Sequence, residues 1–181
     1  MTDALKSDVA VQLNIRSFEG QILHFNGMYK LPVAPFPQLD AVYEDEIRRD
    51  YVNGNSNKDP ISRRLDSFHQ TLLKELGEVE DIQAMMCSRA SAAEILTAIA
   101  DWLGDIIIYC ASEMAKYGIP QKEVLRIIMQ SNFSKLQADG SVKYDEHGKV
   151  EKGPGYWKPE PLIKDLLLSL IEDHNKGKTN G

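Results

Sequence analysis

The stretch from Ser91 to Gly118 limits what this chain can fold into more than any other part of it. Ser91-Ala-Ala-Glu94 has the form in which a serine hydroxyl and a glutamate carboxylate satisfy one another's unpaired backbone amides at a helix start. Gly118 supplies the left-handed residue on which many helices close. Between them, Ile95 to Lys116 is strongly apolar. A helix of that length and character has to be covered by others, so the expected class is all-α, a helical bundle.

The flanking sequence repeats the helical signal. Asp59-Pro60 pairs a capping carboxylate with a proline suited to the first helical position, and one amphipathic pattern then runs to about Ile82. Pro120 precedes a further helix, Lys122 to about Lys135, with Val124, Ile127, Ile128 and Leu136 as its apolar set. Val9 to Tyr29 carries mixed helical spacing up to Leu31-Pro32. Beyond a connector with Pro32, Pro35 and Pro37, Asp40 to Val52 reads as a shorter helix that ends in the loop Asn53-Gly54-Asn55. Towards the C-terminus, Ser141 to Tyr144 and Lys149 to Glu151 flank a turn at residues 145–148 and suggest a small β-hairpin. A closing helix from Pro161 to His174 precedes a polar tail. The expected organisation is an N-terminal helical extension over residues 1–58 packed on a bundle with its hairpin over 59–174, and a disordered tail over 175–181.

With 181 residues, 43% of them apolar and 27% charged, the chain has the size and composition of one globular domain. A net charge of −6 and a pI near 5.2 argue against a binder of nucleic acid polymers, whose affinity comes from a basic surface. An acidic chain that handles phosphates usually does so through a metal. The start of the sequence lacks the pattern of a signal peptide, and no stretch is expected to reach the roughly 18 apolar residues of a membrane span. The expectation is a soluble, cytoplasmic protein with no membrane partner. Cys87 and Cys110 lie far apart without metal-ligand spacing and are expected as ordinary buried or partly buried thiols.

The informative residues are acids on otherwise apolar helix faces. Ile61, Leu65, Phe68, Leu72 and Val79 define an inward arc on the Asp59–Ile82 helix, and Glu75 falls within it, with Glu78 at its edge. An ionised carboxylate that faces a core costs several kcal/mol unless paired or metal-bound, so Glu75 needs a partner. Arg64 projects on the same side and is one candidate; a cation from outside the chain is another. On the long apolar helix, Glu94, Asp101 and Asp105 form one stripe at spacings of seven and four, which reads either as a solvated face or as a second acidic element. Two helices with carboxylates one turn apart can face them into a common space, as bundle folds do when they hold divalent cations. Oxygen ligands of this kind suit Mg²⁺ or Mn²⁺, ions that keep several waters and bridge to substrate phosphates. Histidine is missing from both clusters, which disfavours a di-iron carboxylate site.

With these residues assembled, the chain resembles the all-α, MazG-like nucleotide pyrophosphohydrolases, in particular their phosphoribosyl-ATP pyrophosphohydrolase-like branch. That family carries E-x-x-E on one helix, E-x-x-D on the next, often with an Asp one turn on, and a later Asn/Lys motif. Glu75-Leu-Gly-Glu78 is similar to the first, Asp101 with Asp105 to the end of the second, and Ser131-Asn132-Phe133-Ser134-Lys135 to the third. The stretch from Asp145 to Pro159 resembles the tail of that branch. The resemblance covers roughly Arg64 to Pro159 and departs from the pattern at Ala98, where the family has a glutamate, and at Lys74, commonly a second Glu.

The resemblance implies hydrolysis of a nucleoside triphosphate between its α- and β-phosphates, giving the monophosphate and pyrophosphate. It implies Mg²⁺ on Glu75, Glu78, Asp101 and Asp105, with Glu75 or Glu78 doubling as general base. Asn132, Lys135, Lys152 and Lys158 would hold substrate, and the assembly would be a homodimer or homotetramer. A phosphoribosyl-ATP pyrophosphohydrolase, or a nucleotide-binding protein weakened in turnover by Ala98, are the alternatives.

Overall fold

A computed structural model describes residues 17–53 and 59–179. The described chain is helical: α1 (Phe18–Met28), α2 (Asp40–Asn53), α3 (Pro60–Gly77), α4 (Val79–Cys87), α5 (Ala92–Lys116), α6 (Gln121–Phe133) and α7 (Glu160–Thr179). It divides into two compact units, Met1–Gly118 and Ile119–Gly181. The part of the first expected helix that precedes residue 17, and the end of the Asn53-Gly54-Asn55 loop, lie outside the described residues.

In the first unit α5 is the element against which α1, α3 and α4 pack. It starts as its sequence prescribes, with the Ser91 hydroxyl accepting from the Glu94 amide at 3.3 Å and the Glu94 carboxylate accepting from the Ser91 amide at 2.7 Å. At its far end Gly118 has φ +65°, and a Cβ there would sit 2.1 Å from the Phe36 carbonyl oxygen. Glycine is required twice over, by backbone conformation and by the connector pressed against it. That proline-rich connector is held by the Ala34 and Gln38 amides, which donate to the carbonyls of Ala115 and Tyr117 at 3.1 and 3.0 Å. They occupy acceptors that a helix end leaves unpaired.

Helix α1 docks through a fully buried Asn26. Its amide donates to the Ser112 carbonyl at 3.1 Å, and its side-chain oxygen accepts from the Ser112 hydroxyl at 2.6 Å. Around this polar clamp, Ile22 packs on Ala111 and Ala115 with Ile108 beside them.

Five expectations need correction. The pattern from Asp59 to Ile82 forms two helices, because Gly77 is a poor helix former and the Glu78 amide reaches back only three residues, to the Glu75 carbonyl at 3.2 Å. The hairpin reduces to an isolated antiparallel bridge, Tyr144 with Val150, and no strand occurs among the described residues. Its side chains Val142 and Tyr144 are exposed, and a lone two-stranded ribbon that buries no apolar face is marginal. Residues 175–179 are helical where a disordered tail was expected: Lys176 pairs with Glu172 and Asp173 at 3.8 and 3.7 Å, cations in a last turn suit the helix dipole, and the Thr179 hydroxyl donates to the Lys176 carbonyl at 2.9 Å. Cys87 and Cys110 are both exposed, the former as the last residue of α4 and the latter on an open side of α5. Finally, α5 is long and apolar enough to cross a membrane by length and composition, since its isoleucines and alanines outweigh its scattered acids.

Candidate functional site

Helices α3 and α5 run antiparallel and are pinned at two points. Near the start of α3, Arg64 donates from Nε to Glu113 Oε1 at 2.8 Å and from Nη2 to Glu113 Oε2. Near its end, the Glu75 backbone carbonyl accepts from Trp102 Nε1 at 2.7 Å. As the chain advances along α3 from Arg64 to Glu75, its partner on α5 retreats from Glu113 to Trp102. The groove between the helices therefore has two chemically different ends.

One end is acidic. Glu75, in the last turn of α3, is buried with 6% of its surface exposed, whereas Glu78 is exposed at the α3–α4 junction. Across on α5, Asp105 is half-buried and Asp101 exposed. The phenol that links them is Tyr109, one turn beyond Asp105. Its pKa is pushed up by burial, then by the negative charges of Glu75 and Asp105, by hydrogen bonding with Glu75 and by the charge of Glu78. Carboxylates of both helices thus act on a single hydroxyl. The donor chemistry fits a hard divalent cation, being oxygen throughout. The side chains stand apart, however: among the described residues no three His, Cys, Asp or Glu groups converge as a ready-made metal cage. Glu94 is committed elsewhere, its carboxylate held by the Ser91 amide and by the Ser91 hydroxyl at 2.8 Å, which lowers its pKa.

The other end is ion-paired. Glu113 is as buried as Glu75 and also accepts from Lys116 Nζ at 2.9 Å. Burial pushes the Glu113 carboxyl up, but the hydrogen bonds and charges of Arg64 and Lys116 outweigh it and hold the pKa below the usual carboxylate value. Burial pushes the Lys116 ammonium down despite its bond to Glu113. Beside them the Tyr117 hydroxyl is buried with no hydrogen-bond partner among the described residues.

Arg64 is therefore not the partner of Glu75 but of Glu113, which sequence reasoning passed over. The signal was present, since Lys116 is the one basic residue of α5 and Glu113 lies one turn before it. Tyr109 was missed as well, although it continues the Asp101–Asp105 stripe by one more turn.

The second unit carries the other expected residues. Lys135 Nζ donates to Asn132 Oδ1 at 2.7 Å at the end of α6. Lys152 Nζ lies 4.6 Å from the centre of the Tyr156 ring, and Lys158 is exposed. The loop that holds them is tied to α6: the Ser131 hydroxyl donates to the Trp157 carbonyl at 2.7 Å, and the Gly153 amide donates to the Lys135 carbonyl at 2.9 Å. A Cβ on Gly153 would meet the Leu136 carbonyl oxygen at 2.0 Å, so this approach also requires glycine.

No family model matches the chain, and no curated protein is significantly similar to it. Among solved structures, it is similar to the crystal structure of a "putative NTP pyrophosphohydrolase" from Exiguobacterium sp. 255-15, with 18% identity, a TM-score of 0.46, and coverage of 87% of this chain and 98% of that one. At that TM-score the likeness decides neither kinship nor activity.

Proposed function

We propose that the chain is a Mg²⁺-dependent nucleoside triphosphate pyrophosphohydrolase that releases the nucleoside monophosphate and pyrophosphate. The observation that carries this reading is the acidic end of the groove, where the buried Glu75 shares the surroundings of Tyr109 with Asp105 and Glu78 and no cation of the described chain pairs with it. Glu75, Glu78, Asp101 and Asp105 are the residues that would hold Mg²⁺, with Mn²⁺ as a substitute. An open set of carboxylates suits an ion that keeps its waters and completes its coordination on substrate phosphates. Bound there, the ion would neutralise charge on the phosphates and position a water.

The chain's own residues then have distinct tasks. Trp102 fixes the end of α3 through the Glu75 carbonyl and so sets where both glutamates project. Glu75 or Glu78 accepts the proton of the water that attacks the α-phosphorus, and the bond to the bridging oxygen breaks to release pyrophosphate. Asn132, Lys135, Lys152 and Lys158 are the second unit's candidates for phosphate binding. Leu96, Leu103 and Ile107, exposed along α5, support assembly as a homodimer or homotetramer.

The test is pyrophosphate release from a panel of common and damaged nucleoside triphosphates, with and without Mg²⁺. Release that requires the metal and is lost in Glu75→Gln is the expected result. No release from any of them, with the fold intact, would overturn the enzyme reading.

A further inference from the structure

The groove does not end at the acids. Beyond Tyr109 it opens into a cavity of about 290 Å³ whose walls come from α1, α3 and α5. Its size lies at the lower end of small-molecule sites, which suits one compact ligand group. Two features show what kind of group it fits, and a third shows how its wall is held.

The first is aromatic. Phe25 and Tyr29 of the α1 end stand at the cavity with ring centroids 4.6 Å apart and rings tilted to one another, and Phe68 and Tyr109 line it as well. Tyr29 is 63% exposed, an aromatic surface that the unit itself leaves uncovered. The second is the polar lining. Arg64 and Lys116 present cations, while the acceptor between them, Glu113, is already engaged by both. The cavity therefore offers donors to a base edge that presents only acceptors there, O6 and N7 of guanine or O4 of uracil, and disfavours the edge at which adenine or cytosine presents its amino group. The third is backbone conformation. Lys30, between two lining residues Tyr29 and Leu31, has φ +54°, a region that non-glycine residues rarely occupy. It is the left-handed closure of α1, with the Lys30 amide on the Gly27 carbonyl at 3.1 Å and the Leu31 amide on the Asn26 carbonyl at 2.8 Å, and it sets the turn that carries Tyr29 and Leu31 to the cavity wall.

We infer that this cavity is the base pocket of the substrate nucleotide, that the N-terminal helix α1 supplies its stacking wall through Phe25 and Tyr29, and that it selects oxo-bearing bases of the guanine and uracil type over adenine and cytosine. Tyr109 lies at the junction, lining the pocket on one side and facing the carboxylates on the other. A base seated against Phe25 and Tyr29 directs its sugar and phosphates towards Glu75 and Asp105. The inference deepens the proposed function and rests on it for the nucleotide, yet the pocket can be tested without phosphates or metal.

The experiment measures binding of four nucleosides, guanosine, uridine, adenosine and cytidine, to the full chain by saturation-transfer NMR and calorimetry in the absence of Mg²⁺. The expected result is that guanosine and uridine bind at least about tenfold more tightly than the other two. Tyr29→Ala should weaken guanosine binding about tenfold, as loss of one stacking contact implies, and Tyr29→Phe should keep it. Tyr29 caps α1 at an exposed position, and a melting curve for each variant verifies the fold. Equal binding of all four nucleosides would overturn the oxo-base assignment. No binding at millimolar nucleoside, or unchanged binding in a folded Tyr29→Ala, would overturn the pocket. Guanosine binding lost in Tyr29→Ala, in a protein that releases no pyrophosphate from any triphosphate, would support the pocket while refuting the enzyme reading.

Discussion

Glu75 and Glu113 are equally buried on facing helices, yet their surroundings differ in kind. Glu113 is held by Arg64 and Lys116, so its charge is neutralised within the fold. Glu75 faces a tyrosine and further acids. Stability alone favours a cation beside a buried carboxylate, as at Glu113, whereas the partner that Glu75 has is the Tyr109 hydroxyl. The contrast assigns the Glu113 end of the groove to holding α3 on α5, and under the proposed function the Glu75 end is where a cation from outside the chain would bind.

The comparison is broken most directly at its structural end. Glu113→Ala leaves Arg64 and Lys116 buried without their acid, and stability should fall by about 3–5 kcal/mol, read from urea unfolding. The acid limb of stability carries the same signature. Because Arg64 and Lys116 hold the folded Glu113 below its ordinary value of about 4.5, its contribution is fully present above that pH and is lost as the pH falls through the folded value. Glu113→Gln should flatten the decline below pH 4.5. Lys116 acts at the other extreme. Its depressed folded pKa makes stability rise as the pH climbs through the lysine range. An unaltered midpoint in Glu113→Ala would remove the ion pairs from any structural role.

At the chemical end the same kind of substitution should have the opposite profile. Glu75→Gln is expected to reduce Mg²⁺-dependent pyrophosphate release at least about 100-fold, about 2.7 kcal/mol of barrier, while thermal stability stays level or rises. Asp101→Asn should behave alike. Retention of more than about a tenth of the rate would take either residue out of the site.

How far the sequence foretold this difference follows from what each signal depends on. The ends of α5 were legible because a capping box and a left-handed glycine act locally, and the burial of Glu75 was legible because its place on the α3 face is a matter of helical period. Partner choice was not legible. Arg64 sits on the same side of α3 as Glu75, and only the antiparallel register of α3 against α5 puts Glu113 within its reach. The break at Gly77 was hidden because the apolar period continues through it. The bridge at Tyr144 was overread because alternation in sequence says nothing about whether an apolar face has something to cover it.

A milder perturbation sharpens the link between the two helices. Trp102→Phe keeps most of the packing and deletes the 2.7 Å bond to the Glu75 carbonyl. About 1 kcal/mol of stability should be lost, and the acidic end should loosen with it. The expected reading is a higher Mg²⁺ requirement for pyrophosphate release in Trp102→Phe. A stability loss with an unchanged Mg²⁺ titration would mean that the bond ties the helices together without aligning the acids.

The smallest expected effect concerns Ala98, where the chain departs from the pattern it resembles. Ala98 is half-buried one turn before Asp101, and one turn before it Glu94 is occupied at the helix start by Ser91. Glu94 is thus not available to stand in for a carboxylate at this position, and Asp105, on the Tyr109 side of Asp101, is the residue that completes the acidic end. If the four acids suffice, Ala98→Glu introduces a like charge one turn from Asp101, which on a helix costs about 0.2–0.5 kcal/mol, and brings no gain in rate. Glu94→Gln should weaken the start of α5 and leave the Mg²⁺ midpoint of pyrophosphate release where it was, because that carboxylate serves the helix and not the metal. A Mg²⁺ titration of wild type, Ala98→Glu and Glu94→Gln side by side distinguishes the cases. A clear rise in rate or in Mg²⁺ affinity with Ala98→Glu would show that the acidic end lacks a ligand, and the contrast with the fully paired Glu113 would then measure a site that has lost part of its machinery.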